Sequence, residues 1–479
     1  MPVDPGARHQ HSQHQDGGGP VIPAGEVVER ALKLSRADEA IVLVTDKYDA
    51  SLRWAGNSMT TNGSAVSREW TAISVFRDGP NSARVGSIRS TSVDAADIEA
   101  VVRASEAAGR TAEPAKDAMP LLDPDGAPDA DWAAEPGRTG IEVFAGLAGD
   151  LAQGFDGADR LYGFAHHQVH TTWLGTSTGV RRRFAQPTGS VEINGKRGAG
   201  SDLASAWVGV NTPDFTGVDV PAMLAELSRR LDWSKSRVDL PAGRYETLLP
   251  PSAVADLMIY MMWTMEGRGA QEGHNAFAKA GGTRIGERLT DIPLTLYSDP
   301  TAPGLEYRPF VAVDASSESL SVFDNGLATR RVDWVRDGVI DALVYPRATA
   351  AEFGASTAVP GENLLLTGGS AATLDEMIAR TERGLLLTTL WYIREVDPAT
   401  LLLTGLTRDG VYLVENGAVT AAVNNFRFNE SPIDLLRRTT EAGATEPTLP
   451  REWKDWFTRT AMPPLRIPDF HMSSVSQAT

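Results

Sequence analysis

Gly384-Leu385-Leu386-Leu387-Thr388-Thr389-Leu390-Trp391-Tyr392-Ile393-Arg394-Glu395-Val396-Asp397-Pro398 is the most informative stretch of this 479-residue chain. It lies in a region that reads as strands joined by tight turns. Asn325-Gly326, Asp337-Gly338 and Asn416-Gly417 are two-residue hairpin signals between apolar runs. Just before the stretch, Thr373-Leu374-Asp375-Glu376 is a capping box that opens a helix with Leu374, Met377 and Ile378 on its apolar face. Gly384 is expected to end that helix. Further upstream, Pro250-Pro251 precedes a helix expected over Ser252–Met265. Leu257, Met258, Ile259, Met261, Met262 and Trp263 make it apolar on all sides, so it belongs inside a domain or under a partner.

The first half carries mixed signals. A short amphipathic helix is expected over Glu26–Leu34, strands over Ala40–Val44 and Trp70–Phe76, and a helix over Asp97–Arg110 capped by Asp94. Residues 112–138 are rich in Pro, Asp, Gly and Ala and read as a linker. A helix follows over Ile141–Ala152, strands and hairpins over Arg160–Trp207, and a helix over Met223–Leu231. The expected class is α+β: a mixed α/β N-terminal region followed by a strand-rich, antiparallel C-terminal domain. The expected divisions are a disordered polar tail (1–22), an α/β domain (23–111), a linker and central α+β region (112–238), and the C-terminal domain (239–475).

Composition removes several functions. The 45 basic and 62 acidic residues give a net charge of −17, which provides no general footprint for nucleic acid or an anionic membrane. The chain has no cysteine, so disulfides, thiolate nucleophiles and Cys-ligated metals are excluded. There is no apolar run before Pro20 and no stretch fit to span a bilayer, so a cytoplasmic protein is expected. No G-x-S-x-G elbow, phosphate-binding loop or convincing dinucleotide fingerprint occurs.

With those landmarks placed, the run Gly384–Pro398 resembles the C-terminal domain of the TldD/PmbA (TldE) family. Thr404-Gly405-Leu406 and Val414-Glu415-Asn416-Gly417 extend the likeness. So do Asp324-Asn325-Gly326 with the later Asp337-Gly338, and Asn363-Leu364-Leu365-Leu366 with Gly368. In the first half Ala37-Asp38-Glu39-Ala40, Asp97–Arg110 and Ser177-Thr178-Gly179 are similar to that family's N-terminal domain. The resemblance covers roughly residues 24–475. It implies a cytoplasmic, metal-dependent peptidase system acting on small or unfolded peptides. One subunit type, TldD-like, carries an HExxxH helix and a Cys ligand; the other, TldE/PmbA-like, lacks them and pairs with the first.

In such a helix the His residues bind the metal and the Glu acts as general base on a bound water. Matched on Pro250-Pro251 and Ala253-Val254, the three positions carry Ile259, Tyr260 and Thr264. None can serve as ligand or base, and the chain has no Cys to offer. The resemblance therefore implies a TldE/PmbA-like subunit with no metal of its own. Zinc or a similar divalent ion is expected in a TldD-like catalytic partner, and the substrate is a peptide or unfolded protein. Other candidate ligands are Glu266, Glu272 and His274 in the loop after the helix, which would make a relocated metal site. A third alternative is a non-catalytic regulatory or binding partner of a peptidase.

The histidines elsewhere read as structural. His9, His11 and His14 lie in the polar tail, and His471 stands alone near the C-terminus. His166, His167 and His170 fall on an expected strand. There His166 and His170 share a face but lie about 13 Å apart along the chain, and His167 points the other way. Trp391-Tyr392 and Trp453–Trp456 are expected in the core or at an interface.

Overall fold

The computed structural model describes residues 22–476 apart from 80, 93, 201 and 202. The tail expected over residues 1–22 lies, save for its last residue, outside them. The architecture is α+β.

The first half is built on one antiparallel sheet of six strands. In chain order its elements are α1 (Ala24–Leu34), β1 (Glu39–Ala55), β2 (Met59–Gly79), β3 (Ser82–Ser90), α2 (Asp97–Thr111), α3 (Ala145–Phe155), β4 (Arg160–Thr176), β5 (Arg181–Arg197), β6 (Ala204–Thr212) and α4 (Val220–Trp233). The strand order is β3-β2-β1-β4-β5-β6. β1 has 17 residues and β2 has 21, far beyond the short strands expected. The added lengths escape a search for apolar alternation because Met59–Ser67 of β2 are exposed throughout and mostly polar. Backbone pairing with β1 makes them a strand without a buried face.

The two faces of this sheet differ. On one, Val42, Val44, Trp70 and Trp173 pack under α1 and α2. Further along the same face, Ala50, Leu52, Trp54 and Ile193 pack against α3 and α4. The opposite face begins apolar, with Ile41, Leu43, Ile73 and Val75 against Phe310, Val322 and Phe323 of the second half. It then turns polar from Thr45 onward. Residues 112–138 contain no helix or ladder strand and run between α2 and α3. Ala118 and Leu121 from this segment are buried beside Ile41 and Ile73. The sheet is continuous across it, because β1 pairs with β4. Asp94 does not cap α2. Its side chain accepts from Ala96 N at 2.8 Å, and Ala96 occupies the cap position with no side-chain bond.

The second half contains a ten-stranded and a six-stranded sheet. In the larger, Gly243–Leu249 pairs antiparallel with Leu465–Val475 and parallel with Arg383–Leu387, so an early strand and the last strand of this half are neighbours. Helix α5 (Pro251–Trp263) shares one core with both sheets, touching the cluster of Leu249, Leu385, Leu364, Leu296 and Trp334. A helix apolar all round suits that enclosed position. Pro251 begins it, where a missing N–H costs no helical bond.

Local turn chemistry acts as expected at Asp337-Gly338 and Asn416-Gly417. Both residues of each pair have positive φ, the geometry that joins twisted antiparallel strands in two residues. Asn325-Gly326 is different. It follows a short 3-10 turn (Val322–Asp324), and Asn325 has φ of −56°. Its side chain pairs with the Val313 backbone, accepting at 2.7 Å and donating at 2.8 Å. The capping box forms fully between Thr373 and Glu376. Its helix stops at Ala379, well before Gly384. Gly384 instead lies in the strand Arg383–Leu387, where a Cβ would come within 2.9 Å of the Glu246 carbonyl on the adjacent strand. Close strand approach, not helix termination, explains this glycine. No described helix is long and apolar enough to cross a membrane.

Candidate functional site

α5 brings the matched metal positions into the core. Ile259 is completely buried. Tyr260 is partly buried, its ring 5.7 Å from that of Trp453 and 6.4 Å from that of Trp263. Burial pushes its phenol above the ordinary value, and the charge of Glu395 adds to this. Thr264 lies just past the last helical turn and donates its hydroxyl to Met261 O at 2.8 Å. An isoleucine offers no lone pair, the tyrosine stays protonated, and the threonine is spent on its own helix end. The residues at these three positions do not fit a metal.

The loop after α5 brings two of its three candidate ligands together. His274 Nδ1 lies 3.4 Å from Glu272 Oε2, and both side chains are exposed. Glu266 takes a hydrogen bond from Ser319 Oγ at 3.3 Å. Burial raises its carboxyl above the usual range. Arg268 ties the loop to Glu352 and to Glu272.

On β4, His167 is buried on the helix-bearing face. Its ring nitrogens meet Thr139 Oγ1 at 2.6 Å and Pro213 O at 2.7 Å. Burial lowers its pKa, as expected of a core histidine. His166 and His170 share the opposite face, as the strand period requires. What the sequence conceals is Asp49 on β1. It pairs in register with Gln168, midway between the two histidines. Their Nε2 atoms approach Asp49 Oδ1 at 3.6 and 3.4 Å. Burial alone would raise the Asp49 carboxyl, but hydrogen bonds from His166 and His170 hold it well below the usual carboxylate range. Among the described residues no three His, Asp or Glu side chains gather so as to hold a metal ion. His471 lies on the strand Leu465–Val475, away from these groups in the chain.

The polar face of the N-terminal sheet forms one wall of a cleft of about 750 Å³. Lys47, Glu69, His170, Thr172, Gln186 and Thr188 line that wall. The facing wall comes from the second half: Trp263 at the end of α5, Arg308, Glu362, Trp456 and Arg459. Most charges are paired. Lys47 meets Glu69 at 2.7 Å, Arg308 meets Glu362 at 2.8 Å, and Arg89 meets Asp314. Arg459, on the strand Arg459–Met462, is the exception. Its guanidinium donates to Thr188 Oγ1 and to Pro187 O, and it makes no ion pair with any described residue. Desolvation pushes it below the ordinary arginine range; Glu362 offsets this in part, and Arg308 adds to it. Gln186 Oε1 is also buried without a hydrogen-bond partner among the described residues, while its amide nitrogen serves Pro187 O and Glu306 O.

The expected tryptophans divide between core and cleft. Trp453 is buried and donates to Asp256 O at 2.8 Å. Trp456 is 74% exposed at the cleft mouth. Trp391 lies under Arg451, whose guanidinium is 4.4 Å from the ring. The cleft residues gave no sequence signal because they come from distant strands. Pairing register alone assembles them.

Residues 242–474 match the family described as PmbA/TldA metallopeptidase C-terminal domain. Three solved structures share the fold over nearly the whole chain. TldE from Thermococcus kodakarensis is 16% identical with a TM-score of 0.75, covering 93% of this chain and 98% of its own. A Bacteroides thetaiotaomicron protein described as a candidate modulator of DNA gyrase is 18% identical, with a TM-score of 0.74 and coverage of 94% and 98%. A Thermotoga maritima protein of the same description is 14% identical, with a TM-score of 0.72 and coverage of 93% and 99%. No curated protein matches the sequence. The family likeness is thus carried by residues 242–474, and the solved structures show that the fold is shared over the rest of the chain.

Proposed function

We propose that this chain is the metal-free subunit of a two-chain cytoplasmic peptidase of the TldD/PmbA/TldE kind. In this reading it pairs with a TldD-like subunit that holds zinc or a similar ion and performs the cleavage. The observation that carries the proposal is the state of α5. The helix keeps its place and its packing, while Ile259, Tyr260 and Thr264 supply contacts where the metal-binding type supplies ligands and base. The likeness in fold to a protein named TldE supports the same assignment.

This chain's own contribution is then binding. The cleft holds an extended peptide against a polar sheet face, with backbone hydrogen bonds and a few side-chain anchors. Sequence tolerance follows from that mode, because main-chain groups carry the affinity. A relocated site at Glu266, Glu272 and His274 has less support, since Glu266 is held by Ser319.

Co-purification with the TldD-like partner, followed by peptide cleavage by each chain and by the pair, tests the assignment. The pair is expected to cleave in a metal-dependent way and to outpace the partner alone. Metal-dependent cleavage by this chain alone would refute it. A pair no faster than the partner would favour a regulatory role.

A further inference from the structure

Two residues that line the cleft carry groups with unmet demands. Arg459 is a partly buried cation that touches neutral oxygens of Thr188 and Pro187 and no carboxylate. The nearby Glu362 is already engaged by Arg308 at 2.8 Å. The local balance of Arg308, Glu362 and Arg459 is therefore one positive charge. A guanidinium withdrawn from water gains most from a planar, bidentate anion, which its fork matches. Gln186, a residue that lines the same cleft, carries at Oε1 a buried acceptor with no donor among the described residues. Such an orphan costs free energy until an N–H reaches it.

A cation and an adjacent acceptor describe a complementary ligand: a carboxylate with an amide N–H close by. The last residue of a peptide presents that pair, its terminal carboxylate being one residue from its own main-chain N–H. We propose that the cleft binds peptides by their free C-terminus, with Arg459 taking the terminal carboxylate and Gln186 Oε1 accepting a main-chain N–H. The remaining peptide then runs along the polar wall past Thr172 and His170, with Trp456 at the mouth to cover an apolar side chain. This rests on the peptide-binding role proposed above and narrows its substrate class to chains with a free C-terminus.

The test uses the full chain and N-terminally labelled peptides that lack Asp and Glu, followed by fluorescence anisotropy. The peptide acid is expected to bind about tenfold or more tightly than its C-terminal amide, the loss of a charge-assisted contact. Arg459→Gln is expected to abolish that preference, and Gln186→Ala to weaken both peptides with the preference retained. Equal binding of acid and amide to the unaltered chain overturns the proposal without any need for a variant to fold. So does failure of both to bind, or an acid preference that survives in a folded Arg459→Gln. An amide carrying one internal Glu that binds as tightly as the acid also overturns it, because a side-chain carboxylate would then suffice. None of these outcomes bears on whether this chain pairs with a metal-bearing subunit, which cleavage by the pair decides.

Discussion

Helix α5 and the cleft wall that it abuts are built on opposite terms. Around α5 almost every side chain is apolar and enclosed, and even Asp256 is fully buried with its carboxylate turned to the backbone N–H groups of Arg451 and Glu452. In the cleft, polar and charged side chains stand among apolar ones such as Trp263 and Phe457, and two of the polar groups lack suitable partners among the described residues. The contrast separates two jobs that a peptidase site usually combines. The positions matched to metal ligands serve packing or the helix end here, while the proposed binding groups Gln186 and Arg459 come from strands far apart in sequence. Under the function proposed above, that division suits holding a substrate rather than activating water on a metal.

The contrast can be broken most severely at Ile259. Ile259→Asp places an unpaired charge in a site with no solvent access, and should destabilise the fold by upward of about 4 kcal/mol in urea unfolding. A loss below about 1 kcal/mol would mean that this helix is not core. Next comes Asp256→Ala, which leaves the Arg451 and Glu452 N–H groups without their acceptor. The expected cost is about 2–3 kcal/mol.

Asp256 also gives the comparison a pH signature. Burial drives its carboxyl well above the usual range, with the charge of Glu452 adding, against the pull of the three backbone contacts. The folded state then binds the proton more tightly than the unfolded chain. This group's contribution is fully present below the unfolded value of about 3.9 and is lost as pH rises through the folded value. Asp256→Asn carries no such term. Its stability relative to the parent should therefore improve as pH rises, in paired denaturation curves. A constant difference across pH would show that Asp256 has an ordinary carboxyl.

A smaller effect is expected at Asn211 on β6, which pins the two cleft walls together. Its amide donates to Thr448 O at 2.7 Å and Thr458 O at 2.8 Å. Asn211→Ala should cost about 1–2 kcal/mol. It should also raise hydrogen exchange at the strand Arg459–Met462; unchanged exchange there would assign the pinning elsewhere. The smallest change is expected at the cleft mouth. Trp456→Ala should alter stability by no more than about 0.5 kcal/mol, as at other exposed sites, while weakening peptide binding. A large loss of stability would place Trp456 with the core after all.

Local chemistry made parts of this fold legible. The Thr373–Glu376 capping box and the hairpins at Asp337-Gly338 and Asn416-Gly417 depend on residues adjacent in the chain, so their sequence pattern is sufficient. The enclosed position of α5 followed from its lack of a polar face. Legibility failed where distant groups set the outcome. Gly384 looked like a helix stop, yet the neighbouring strand at Glu246 demands it. Met59–Ser67 lack a buried face, so nothing in their composition announced a strand. The pairing of Asp49 with His166 and His170 required the register of β1 on β4, and the lone charge of Arg459 required knowing which carboxylates come near. The match of Ile259, Tyr260 and Thr264 to metal-binding positions rests on family resemblance alone; no periodicity points to it.

The division between packing and binding is tested most directly by peptide turnover with the purified chains, each with added zinc and with chelator. This chain alone should release no product in either condition, and its addition to the TldD-like partner should raise zinc-dependent cleavage. Product released by this chain alone with zinc and abolished by chelator would contradict the assignment.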